Sequence, residues 1–185
     1  YDAVIAGGAD AQQVAAVAAI DDTLTALDHL LARSDVEPGS TTLVGGSAGA
    51  VTVDNVAYLL DDFGVSRPPI RAVVSNWGGL PIGSAETWIQ NPVPTSAAPY
   101  SEPPVFLAHS TGDPTVDYQL SVDIAQRAQE VGLRHHLYTR TGNAHGFDLA
   151  AEPYGDGRSV LEAQVDFVTC TLYGATASDP ACTWG

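Results

Sequence analysis

Leu43-Val44-Gly45-Gly46-Ser47-Ala48-Gly49-Ala50-Val51 is the stretch on which the reading of this chain turns. It holds Gly45-x-Ser47-x-Gly49, preceded by apolar Leu43 and Val44 and followed by a helix-compatible run from Ala48 to Leu60. That is the strand–turn–helix setting of a nucleophile elbow, a strained turn that lifts a serine hydroxyl clear of a sheet. Both flanking glycines are expected to be required, because a Cβ at either would meet the neighbouring strand or helix. A plain Gly/Ser turn would carry the same five letters, so the rest of the chain has to decide.

Outward from the elbow, short apolar segments alternate with helical patterns. Asp2 to Ala6 reads as a short buried strand ending at Gly7-Gly8. Asp10 can cap a helix from Ala11 to about Arg33, with Val14, Val17, Ala18, Leu24, Leu27, Leu30 and Leu31 on its apolar face. Thr41–Val44 is the elbow strand, after the turn Glu37-Pro38-Gly39-Ser40. Further strands are expected at Arg71–Asn76, Pro104–His109 and Arg134–Thr139, with helices over about Tyr118–Val131 and Gly157–Tyr173. Five strands separated by helices imply right-handed crossovers and a mostly parallel sheet flanked by helices. The segment Pro81–Pro103 breaks the alternation with prolines at 81, 92, 94, 99 and 103. It is too long for an ordinary connection, and a small cap over the carboxyl edge of the sheet competes with a surface loop. Trp77, Trp88, Ile89 and Tyr100 in or beside it favour something that buries or binds apolar surface.

Open parallel sheets form their sites outside the carboxyl ends of the strands. Three candidates occupy such ends: Ser47, then Asp113 in His109-Ser-Thr-Gly-Asp113-Pro-Thr-Val116, then His145 in Gly142-Asn-Ala-His145-Gly146-Phe147. A serine hydroxyl is a poor nucleophile until a base takes its proton, which an imidazole does at neutral pH and returns to the leaving group. A carboxylate behind the ring would fix its tautomer and stabilise the imidazolium. Acyl transfer is the chemistry this set supports. Asp113 is also good turn chemistry in Gly-Asp-Pro, and Asp117 and Asp148 are rival acids. Among the other histidines, His29 lies in a helix, His109 reads as structural at a strand end, and His135 and His136 are strand residues.

The three blocks Gly45-Gly-Ser-Ala-Gly49, His109-Ser-Thr-Gly-Asp113-Pro-Thr-Val116 and Asn143-Ala-His145-Gly-Phe147 resemble α/β-hydrolase serine esterases such as carboxylesterases, feruloyl esterases and polyhydroxyalkanoate depolymerases. The resemblance covers nearly the whole chain and implies an acyl-enzyme on Ser47 with His145 as general base and acid and Asp113 behind it. It implies a small-molecule or polymeric ester as substrate, a short acyl or feruloyl-like aromatic ester or a polyester, and no metal or organic cofactor. Trp77, Trp88 and Tyr100 would grip the substrate by stacking, or alternatively close the cap's own core. The Ala48 N–H would be the first oxyanion donor. The family's second donor usually comes from a His-Gly-Gly-type loop, absent before Ser47 here. Either the chain begins after that motif and lacks the N-terminal strands, or the Gly7-Gly8-Ala9 loop, through Gly8, takes its place. Two other readings stay open: a prolyl-oligopeptidase-type serine peptidase, and a non-catalytic binding module on the same fold.

Composition bounds these readings. At 185 residues, 45% hydrophobic and 16% charged, the chain suits a single α/β domain over residues 1–185. It starts at Tyr1 and contains no Met, as expected of a processed form or a fragment. No apolar run approaches the ~18 residues of a membrane helix. The 22 acidic residues against seven Arg and no Lys give a net charge of −15, which repels nucleic-acid phosphates and anionic lipids as partners. Adaptation to high salt and the bias of a GC-rich genome both account for that balance. Cys170 and Cys182 in the last sixteen residues are expected to pair, fastening a tail over 170–182 with a contribution of about 3 kcal/mol. A bridge there implies an exported, extracellular protein.

Overall fold

The computed structural model of the chain describes residues 8–60, 65–66, 68–80 and 102–174. The expected strand Asp2–Ala6, residues 81–101 of the expected cap over Pro81–Pro103, with Trp88 and Tyr100, and Cys182 lie outside the described residues. Within them the elements are α1 (Gly8–Leu31), a 3₁₀ turn (Pro38–Ser40), β1 (Thr41–Gly46), α2 (Ala48–Tyr58), β2 (Ile70–Asn76), β3 (Val105–Ser110), α3 (Tyr118–Glu130), β4 (His135–Arg140) and α4 (Val160–Tyr173). The four strands form one sheet in the order β1-β2-β3-β4, every pair parallel. Sequential order with parallel pairing places all four carboxyl ends on one edge, so the loops after β1, β3 and β4 open side by side.

The period-two pattern of the central strands explains the layering. Val73 of β2 and Val105 and Leu107 of β3 face a core that includes Leu27 of α1, Val53 and Val56 of α2, and Ile124 and Ala128 of α3. Their alternates Ala72, Val74, Phe106 and Ala108 face a second core with Val160, Ala163 and Phe167 of α4. Strands covered on both faces read as nearly continuous apolar runs, and all six residues of β3 are buried. β4, at the edge, alternates much less cleanly and is half-buried along most of its length.

Two boundaries and one helix face differ from the sequence expectation. α1 begins at Gly8, so Asp10 lies inside its first turn instead of capping it. Its buried stripe is narrower than expected: Leu27 is buried, with Ile20 and Leu24 packed beside it, whereas Val17 and Leu30 are exposed. Among the described elements α1 packs chiefly on α2, and that contact needs only one narrow line of side chains. α4 starts at Val160, three residues late. Gly155 and Gly157 hold φ of 110° and 93°, outside helical space, and Ser159 then opens the helix by a reciprocal capping box with Glu162.

Polar groups inside these layers are mostly matched. The Tyr58 hydroxyl donates to the Pro103 carbonyl at 2.9 Å, tying α2 to the approach to β3. The Gln164 amide donates to Asn76 Oδ1 at 2.6 Å, tying α4 to the end of β2. No helix among the described residues is long and apolar enough to cross a membrane.

Candidate active site

Ser47 occupies the single residue between β1 and α2, with φ 55° and ψ −123°. An L-residue adopts such a backbone only where its surroundings over-determine it, and strain of this kind costs about 1–3 kcal/mol. Here the Ser47 N–H donates to the Asn76 carbonyl at 2.9 Å and its own carbonyl accepts from Val51 at 3.0 Å, holding the turn from both sides. The two elbow glycines are not equivalent. A Cβ on Gly45 would lie 2.3 Å from the Gly49 carbonyl oxygen, a backbone atom that cannot yield. A Cβ on Gly49 would meet nothing within 4 Å, which corrects the expectation that both positions exclude side chains. At Gly45 β1 lies directly against the backbone of Gly49 and Ala50 in the first turn of α2.

Ser47 Oγ lies 2.8 Å from His145 Nε2. On the other side of the ring, Nδ1 lies 2.8 Å from Asp113 Oδ2 and 3.0 Å from Oδ1. The three sequence candidates are thus in one hydrogen-bonded line, from residues 98 and 32 positions apart. The loops carrying Asp113 and His145 are laced together: Thr111 N–H donates to the Arg140 carbonyl and Gly112 N–H to the Gly142 carbonyl, at 2.9 and 2.8 Å.

The Asp113 side chain is fully buried. Burial works to raise its pKa, but the Thr115 and Val116 N–H groups on Oδ1, at 2.8 and 3.1 Å, together with the His145 ring outweigh that and hold the carboxyl below its ordinary value. The rival acids are occupied locally. Asp117 caps α3 by accepting from Gln119 N–H at 3.0 Å, and Asp148 closes a turn by accepting from Ala150 and Ala151 N–H. Of the remaining histidines, His29 is exposed on α1. His135 meets the Leu133 carbonyl, and His136 contacts the Tyr154 hydroxyl with its pKa pushed down to about 4, chiefly by burial.

The rim is aromatic. Trp77 follows β2 directly, with φ 41° and its N–H donating to the Ala108 carbonyl at 2.7 Å. Its ring packs edge-on against Phe147 at 5.2 Å between centroids and covers Gly46 and Gly146, where side chains would touch it. Gly78 is required behind it, since a Cβ there would stand 2.2 Å from Ala50 Cβ. Phe147 belongs to the block Asn143-Ala-His145-Gly-Phe147, and its place two residues after His145 is the sequence signal for this wall, which the motif alone does not reveal. The His145 loop is braced from below by Arg140, which pairs with Glu152 at 3.0 Å and lies over the Phe147 ring. The Tyr138 hydroxyl also donates to Glu152, and burial with that carboxylate pushes its pKa up to about 12. Ala48, the expected first oxyanion donor, stands exposed as the first residue of α2, where N–H groups lack intrahelical partners. Gly8, the candidate second donor, is the first residue of α1.

No family model matches the chain. Solved structures do. The chain aligns with MGS-M1, an α/β-hydrolase enzyme from a deep-sea metagenome library of the Medee basin, at TM-score 0.59 and 19% identity, over 83% of this chain and 64% of that one. The fold is that of the α/β-hydrolases. On the same α/β-hydrolase frame it aligns with the thermophilic esterase Est2 of Thermogutta terrifontis at TM-score 0.57 and 23% identity, over 88% of this chain and 65% of that one. A puromycin-hydrolysing peptidase of Mycobacterium tuberculosis aligns at TM-score 0.62 and 22% identity, over 84% of this chain and 25% of that one. In sequence, 151 residues are 25% identical to part of the non-reducing polyketide synthase pkbA of Emericella nidulans, covering 75% of this chain and 6% of that protein. The chain spans less than two thirds of the length of each of these proteins.

Proposed function

We propose that this chain is a serine hydrolase of carboxylic esters, acting through an acyl-enzyme on Ser47. The observation that carries this reading is the unbroken line Asp113–His145–Ser47, with both key distances at 2.8 Å and the serine on a strained elbow. As Ser47 Oγ attacks the ester carbonyl carbon, its proton passes to His145 Nε2. The tetrahedral oxyanion lies toward the first N–H groups of α2, beginning with Ala48. Collapse breaks the bond to the alcohol, which leaves with the His145 proton. Water then repeats the sequence on the acyl-enzyme and releases the acid. Asp113 keeps the His145 proton on Nδ1, so that Nε2 is free to accept.

The Trp77–Phe147 wall beside Ser47 favours a short acyl or aromatic ester, a feruloyl-like group among them. A polyester chain crossing the same wall is the polymeric form of that substrate. Export belongs to the same proposal, with Cys170 bridged to Cys182 closing the tail; intact mass before and after reduction under denaturing alkylation checks the bridge.

The alignment with a peptidase supports a second reading, amide hydrolysis by the same three residues. Both are tested by offering p-nitrophenyl acetate, p-nitrophenyl butyrate and peptide arylamides to the chain and to Ser47→Ala. Ester turnover that vanishes in the variant is the expected result. Arylamide turnover at comparable kcat/KM would replace the ester reading by the peptidase one, and no turnover of either by the folded chain would remove both.

A further inference from the structure

The carboxylate of Asp113 has a second histidine on it. His109, at the penultimate position of β3, is fully buried, and its Nε2 lies 3.3 Å from Asp113 Oδ2. The same nitrogen lies 3.1 Å from the Val116 carbonyl, and Val116 in turn donates its N–H to Asp113 Oδ1. Nδ1 of His109 meets Ser121 Oγ of α3 at 2.7 Å.

These contacts decide where the proton sits. Nε2 faces two acceptors, a carbonyl and a carboxylate, so it must carry the hydrogen. Burial lowers the pKa of His109 against the opposing pull of the Val116 carbonyl and Asp113, favouring a neutral ring. In a neutral ring protonated at Nε2, Nδ1 accepts, and Ser121 must turn its hydroxyl hydrogen toward it. The Gly78 carbonyl, 3.2 Å from Ser121 Oγ, is the longer alternative for that single hydrogen. The titratable groups facing His109 are Asp113 and, beyond it, His145, with the Tyr118 ring edge-on at 5.8 Å from α3.

We propose that His109 is a positioning residue for the hydrolytic centre: its Nε2–H holds Asp113 from the buried side, directly at Oδ2 and through the Val116 peptide, so that the carboxylate presents a fixed face to His145. This rests on the Ser47–His145–Asp113 reading above. His109 touches neither Ser47 nor substrate and acts only through Asp113. A carboxylate robbed of a donor becomes more basic and stabilises the His145 imidazolium further. Loss of His109 therefore favours the protonated form of the His145 ring while loosening the acid.

The test is ¹⁵N NMR of the histidine rings in the whole chain, joined to ester kinetics. In the unmodified protein His109 must show protonated Nε2 and unprotonated Nδ1; the reverse tautomer overturns the proposal outright. In His109→Leu the His145 ring is expected to stay protonated to a higher pH than in the parent. Its kcat is expected to fall about tenfold, the worth of one net hydrogen bond, with KM unchanged. His109→Gln, which returns an N–H donor, should recover most of both. A folded His109→Leu with the His145 titration of the parent sinks the idea even if kcat falls, since general loosening would do that much. Should His109→Leu fail to fold, Ser121→Ala, which frees the tautomer, must still move the His145 titration upward, and an unmoved titration counts against the proposal. Failure of ester turnover in the parent would end the hydrolase reading while leaving the NMR result to judge the His109–Asp113 contact alone.

Discussion

Asp113 and Asp54 carry the same carboxyl and both are shut off from solvent, Asp113 in the loop after β3 and Asp54 in the second turn of α2. Their surroundings drive them in opposite directions. Asp113 accepts from two backbone N–H groups and the His145 ring, with His109 close behind, and its pKa falls below 3.8. Asp54 accepts from the Ser75 hydroxyl at 2.7 Å, and its other oxygen, Oδ1, has no hydrogen-bond partner among the described residues. Burial then dominates and pushes its pKa up to about 7. Burial alone favours a neutral acid; a ring of donors makes a permanent anion in the same interior. The first kind of site contributes packing, the second a charge that an imidazolium can lean on.

Four measurements press on this contrast. The largest effect is expected from Asp113→Asn, which keeps the shape and removes the charge. It should lower kcat/KM on p-nitrophenyl butyrate by about 10⁴-fold, because the amide admits the wrong His145 tautomer. A loss under tenfold would mean that Asp113 is no more a working anion than Asp54. Next comes the pH dependence of stability. A folded pKa near 7 against 3.8 unfolded means Asp54 binds its proton more tightly in the folded state, so its contribution is full below about pH 4 and is lost as pH rises to about 7. That loss is about 4 kcal/mol. Urea titrations from pH 4 to 8 should show Asp54→Asn flattening this decline, and an unchanged slope would place the charge elsewhere. Asp113 has the reverse sign: its depressed pKa gives stability that is present above about pH 4 and disappears as pH falls further, and Asp113→Asn should remove that acid limb. The smallest effect belongs to Ser75→Ala, which strips Asp54 of its hydroxyl donor and should cost about 1–2 kcal/mol at pH 7. In the Asp54→Asn background the same change should cost less, as a double-mutant cycle would read.

Much of the architecture was legible because it is written locally. The short apolar runs of β2 and β3, the helical run after Ser47 and the Gly-x-Ser-x-Gly turn each rest on neighbours within a few residues, and each appears where expected to within a residue or two. The start of α4 slipped where a cap outweighed periodicity, at Ser159, and the apolar face of α1 came out narrower than its sequence pattern, with Val17 and Leu30 exposed.

The sequence by itself determined the layered parallel sheet and the order of Ser47, Asp113 and His145 at its strand ends. Those follow from hydrophobic period and from the rule that parallel strands carry their sites at one edge. Tertiary structure alone decided which of Asp113, Asp117 and Asp148 faces His145, since all three sit in loops or caps suited to a carboxylate. It alone distinguished the crowded Gly45 from the open Gly49, and only it set His109 against Asp113 and left Asp54 with an unmatched oxygen. The physical reason is common to all of these: pairing partners, clashes and desolvation are set by atoms far apart in the chain that meet only when the layers pack.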